Sequence, residues 1–85
     1  MPEICRFFGI VILMNYNDHN PPHFHAVYGD QEITVDINSG LVKGEMSKRA
    51  LSLIIEWYEL HREELLGDWN LARQREPLKK IQPLE

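Results

Sequence analysis

At 85 residues the chain has room for one domain, residues 1–85, with one modest core, and none for separate catalytic and binding lobes or a large cofactor fold. Composition is that of an ordinary globular protein, 44% hydrophobic and 26% charged, and a net charge of −4 argues against broad attraction to nucleic acid or anionic membranes while leaving room for a local basic patch. The single cysteine, Cys5, cannot close an internal disulfide, so a reducing compartment, the cytoplasm by default, is expected.

The first residues carry neither the basic start nor the small-residue exit of a secretory signal, and the apolar run Ile10 to Met14 is too short to cross a bilayer. Ile4 to Met14 reads as one strand, rich in branched and aromatic residues. Alternation sets Ile4, Phe8, Ile10, Ile12 and Met14 on one side and Cys5, Phe7, Val11 and Leu13 on the other. Apolar residues on both sides predict a strand covered twice, or one through which the chain forms a homo-oligomer.

Asn15 to Pro22 is a loop by its chemistry. His23 to Tyr28 alternates, Gly29-Asp30 is a two-residue hairpin signal, and Gln31 to Ile37 alternates again. With that loop the register sets Tyr28 against Gln31, Ala26 against Ile33 and Phe24 against Val35, and on the reverse face His25 against Thr34 and His23 against Asp36. Asn38-Ser39-Gly40 turns the chain into a short edge strand, Leu41 to Glu45, ending at Gly44.

Ser47 caps a helix expected over Lys48 to Leu66 and closed by Gly67. Its apolar arc includes Ala50, Leu51, Ile54, Trp57, Tyr58 and Leu65, with His61 near the centre and therefore buried. Asp68 caps a shorter helix through Trp69 to about Arg75, ended by Pro77, and the tail Leu78 to Pro83 is extended, a candidate last edge strand. These elements predict an α+β fold: an antiparallel sheet of three to four strands against one long and one short C-terminal helix.

Chemistry concentrates in Asp18 to His25, where three of the four histidines fall within seven residues. Residues two apart on a strand point the same way, so His23 and His25 can offer two imidazoles to one ion. His19 from the loop and Asp18 or Asp36 as an oxygen ligand would complete a set suited to zinc or another divalent transition metal. A second use of the same residues is acid–base catalysis, with Asp36 orienting His23, His25 as its partner and Lys43, Lys48 and Arg49 as cations for an RNA phosphate. The plainest alternative is that the histidines only shape a turn. His61 and Cys5 read as core residues, and Arg73, Arg75, Lys79 and Lys80, diluted by acidic neighbours, as a solvated face.

Met-Pro-x-Ile, Phe8-Gly9-Ile10 and the block Asp18-His19-x-Pro21-Pro22-His23-Phe24-His25-Ala26-x-Tyr28-Gly29 together resemble the bacterial domain-of-unknown-function family 4160. The resemblance continues through Lys48-Arg49-Ala50-Leu51, Glu59 to Leu65, Trp69 and Pro77 to Ile81. It implies no biochemical activity. It implies a gene context of toxin–antitoxin type, and hence a small protein encoded by a neighbouring gene as partner. The leading expectation is a small interaction protein of such a two-gene module, acting through the surface around His19, His23, His25 and Asp36. The competing expectations are a histidine-dependent ribonuclease-type toxin and a transition-metal-binding module.

Overall fold

A computed structural model of the protein describes residues 2–85. Five strands form one antiparallel sheet in chain order: β1 (Glu3–Phe7), β2 (Ile10–Leu13), β3 (His23–Tyr28), β4 (Gln31–Asp36) and β5 (Val42–Gly44). Two helices follow, α1 (Lys48–Leu60) and α2 (Arg62–Arg73), so the fold is α+β with C-terminal helices as expected.

The sheet has five strands instead of three or four because the expected first strand is a hairpin. Phe8 and Gly9 take φ of 50° and 81°, the double positive-φ geometry of a tight two-residue turn, and Phe7 pairs with Ile10 across it. Glycine adopts that backbone freely, whereas Phe8 adopts it at a cost and is left 60% exposed at the tip. A bulge at Ile4 shifts the register, since Glu3 faces Leu13 but Cys5 faces Ile12. The expected faces of β1 are therefore corrected: Ile4, Cys5 and Phe7 are all buried, with Ile10 and Ile12.

The β3–β4 hairpin has the predicted register at all the expected pairs, including His25 with Thr34 and His23 with Asp36. Phe24, Ala26, Ile33 and Val35 face the helices and are fully buried. Trp57 of α1 meets the Phe7 ring at 5.5 Å and the Phe24 ring at 5.7 Å, forming the centre of the core. The reverse face of the sheet carries Val11, Leu13, His25, Val27 and Thr34, half-buried.

Ser47 caps α1 as expected, its Oγ accepting from the Ala50 N–H at 3.3 Å. The helix does not continue to Leu66. His61, at φ −124° and ψ 23°, breaks it, and Gly67 and Asp68 lie inside α2 instead of between the helices. The break redirects Leu65, Trp69 and Ala72 onto the open end of the core, all buried, which a straight continuation of α1 could not do. Arg62 secures the junction by donating to the carbonyls of Ile37, at 3.1 Å, and Asn38. His61 is only part-buried, with Nδ1 2.6 Å from Glu64 Oε1 and its ring 5.6 Å from that of Trp57.

The C-terminal tail forms no strand but is tied to the body by hydrogen bonds, among them one from Lys80 Nζ to the Glu3 carbonyl at 2.7 Å. Asp68 Oδ1 accepts from the Lys79 N–H, Ile4 O from the Ile81 N–H, and Gln82 O from the Trp57 indole, each at 2.9 Å. Among the described residues no helix is long and apolar enough to cross a membrane.

Candidate metal centre

Strand alternation sends His23 and His25 to the same side of β3, and the preceding loop brings Asp18 back over them. Asp18 Oδ2 lies 3.0 Å from His23 Nε2 and 3.1 Å from His25 Nε2. The two imidazole rings are 5.3 Å apart, inclined at 63°. One ligand atom from each of the three residues falls within 4.8 Å of the others.

The other ring nitrogens settle what these atoms can do. His23 Nδ1 is 2.9 Å from the carbonyl oxygen of Pro21, and His25 Nδ1 is 3.1 Å from Glu32 Oε2. A backbone carbonyl and a carboxylate only accept, so each Nδ1 is the donor and carries the proton. In the neutral rings both Nε2 atoms then present lone pairs, and they present them to a carboxylate oxygen that offers lone pairs too. With the rings neutral, three electron-rich atoms converge, a clash that is relieved by a proton on Nε2 or by a cation between them. For metal–ligand bonds of about 2.0–2.1 Å, adjacent ligand atoms stand roughly 2.9–3.4 Å apart in octahedral or tetrahedral geometry. The separations of 3.0 and 3.1 Å fit that spacing.

The supports follow the pattern of metal-bound histidines, in which the second ring nitrogen donates to a carboxylate or backbone carbonyl and fixes the ring. The three side chains keep 13–24% exposure, enough for solvent to reach a further coordination position. Burial pushes the Asp18 carboxyl up, but in the ion-free protein, with protons on Nε2, the hydrogen bond from His25 and the charges of His23 and His25 outweigh it. The net shift is below the usual carboxylate range, which keeps Asp18 ionised.

Asp36 stands opposite His23 in register as expected, yet its carboxylate serves the next turn. Oδ1 accepts from the backbone N–H of Asn38 at 2.9 Å and of Ser39 at 3.0 Å, and the Ser39 N–H is the main reason that its pKa is lowered. Among the described residues His23 Nδ1 bonds the Pro21 carbonyl and Nε2 faces Asp18 at 3.0 Å, so the loop carboxylate takes the place expected for Asp36.

His19 is not brought into the triad. It lines a cleft of about 370 Å³ over the outer sheet face, with Asn20, His23, Thr34, Asp36 and Lys43. Of the three cations expected at the site only Lys43 reaches this cleft, while Arg49 lines a separate hollow beside Phe8 and Tyr28.

Two residues of the site were not anticipated. Glu32 lies diagonally across the β3–β4 ladder from His25, a neighbour that the register could have supplied. Trp69 of α2 stands with its ring 5.4 Å from that of His23, a contact that depends on the helix break at His61 and has no local signal.

Neither the curated proteins nor the solved structures contain a match to the chain. A family model does match, over residues 9–70, a span that holds Asp18, His23, His25, Glu32 and Trp69. The chain therefore belongs to the family described as "Domain of unknown function (DUF4160)".

Proposed function

We propose that this protein is a transition-metal-binding module whose ion is held by His23 Nε2, His25 Nε2 and the Asp18 carboxylate. The observation that carries this reading is the convergence of three lone-pair-bearing atoms at 3.0 and 3.1 Å, with both Nδ1 atoms already committed as donors. Two imidazoles and one carboxylate suit zinc and other borderline divalent ions. Three protein ligands with an open position resemble a reactive centre more than a closed structural one. The geometry favours this over the ribonuclease reading, because both imidazoles point at one carboxylate oxygen instead of flanking a gap for a phosphate.

The test is elemental analysis of protein purified without an affinity tag, with thermal melting before and after chelation. The reading expects about one ion per chain and a lower Tm after chelation, since the ion joins the loop to β3. Substoichiometric metal with no response to chelator would remove it.

A second reading concerns partners. Phe8, 60% exposed, and Tyr28, 40% exposed, stand together at the turn end of the sheet, and exposed aromatic side chains are enriched at protein interfaces. This supports a protein partner, and a small protein encoded by a neighbouring gene, as in toxin–antitoxin pairs, is the candidate. Co-expression should yield a complex that Phe8→Ala weakens. Separate elution of the two proteins at micromolar concentration would count against it.

A further inference from the structure

The cleft beside the metal ligands is a candidate binding site in its own right. Its wall is the loop segment His19, Asn20 and Pro21, and its floor is the outer face of β3, β4 and β5 at His23, Thr34 and Lys43. The register makes the floor continuous with the metal centre, since His25, Thr34 and Lys43 form one row across three strands. At about 370 Å³ it lies at the small end of ligand pockets.

The lining is rich in donors. Lys43 contributes an ammonium, Thr34 a hydroxyl, Asn20 an amide and His19 an imidazole. The one acidic side chain in the lining, Asp36, has Oδ1 occupied by two backbone N–H groups of the turn. Lys43 takes part in no ion pair among the described residues. A divalent ion held by Asp18 would offset the carboxylates of Asp18 and Glu32, leaving Lys43 as the positive group across the cleft.

We infer that this cleft takes a small ligand with an oxyanion head, phosphoryl or carboxylate, placed between the metal centre and Lys43. The inference rests on the metal reading. Without the ion, Asp18, Glu32 and Asp36 oppose an anion; with it, that opposition is offset and Lys43 is left to attract the anion. Anion binding is therefore metal-dependent, and by linkage the anion tightens the metal.

The experiment is a ¹H–¹⁵N NMR titration of the full chain with inorganic phosphate, and in parallel with acetate, in zinc-loaded and metal-free samples whose zinc content is measured. Saturable shifts at the amides of Asn20, Thr34 and Lys43 are expected in the zinc-loaded protein. Binding should be at least about tenfold weaker without zinc, and at least about tenfold weaker in Lys43→Gln, which retains its zinc. Whichever of the two anions binds tighter identifies the head group. Zinc bound with no saturable shifts, or Lys43→Gln binding like the parent, overturns the inference and leaves the metal reading standing. Equal binding with and without zinc overturns the coupling. Failure to bind zinc at all overturns the metal reading, and this inference with it.

Discussion

Glu32 accepts a hydrogen bond from Nδ1 of His25 at 3.1 Å, across the diagonal of the β3–β4 ladder. That contact fixes which nitrogen of His25 is left to face Asp18, and so makes Glu32 a positioning residue for the centre without being a ligand. Glu32→Ala should leave the fold intact, because the side chain is half exposed, while lowering zinc affinity by about 10–100-fold at unchanged stoichiometry. Chelator competition measures this. Affinity equal to the parent's would show that Glu32 does not orient the ring.

Trp69 reports on the same centre from the other side. With its ring 5.4 Å from that of His23, its fluorescence should be quenched when cobalt(II) binds. Trp69→Phe should remove most of the quenching and retain the binding, leaving the more distant Trp57 as a weak reporter. Undiminished quenching in that variant would place the ion elsewhere.

Asp68 sets a pH dependence unrelated to the metal. It is 2% exposed, Oδ1 accepts from the Lys79 N–H, and Oδ2 has no partner among the described residues. Burial pushes its carboxyl above the ordinary 3.8, with the Lys79 N–H opposing the shift only in part. A raised folded-state pKa gives stability that is complete below the ordinary value and lost as pH rises through the folded one. Asp68→Asn keeps the acceptor for Lys79 and cannot ionise. Its Tm relative to the parent's should therefore climb from pH of about 4 toward neutrality. A constant difference across that range would contradict the assignment.

Gly44 sits at φ +104°, and an added Cβ would lie 2.7 Å from the Glu32 carbonyl oxygen. Gly44→Ala should cost about 1–3 kcal/mol, measured by denaturant unfolding. It should also loosen β5, which carries Lys43 into the cleft.

The β3–β4 hairpin was legible in the sequence because Gly29-Asp30 fixes the loop length and alternation then fixes every pair. Once that register was in hand, the shared face of His23 and His25 followed. The first hairpin was not legible, since Phe8 is an improbable residue for positive φ and only Gly9 marked the turn within an apolar run. The break at His61 lacks glycine and proline altogether; it exists because Leu65, Trp69 and Ala72 are needed to close the end of the core. Asp18 and Asp36 could not be ranked as partners of the histidines from sequence, because the course of the loop decides which carboxylate arrives. Asp36 is drawn into its own turn by the N–H groups of Asn38 and Ser39, and Asp18 is left to the histidines.

Calorimetric titration of zinc into tag-free, metal-free protein, run beside His25→Ala, distinguishes a metal centre at Asp18, His23 and His25 from a turn that the histidines only shape. One saturable site per chain is expected in the parent, and loss of that site in the variant, whose Tm should match that of the metal-free parent. No saturable binding to the parent, or equal binding by His25→Ala, would contradict the metal centre.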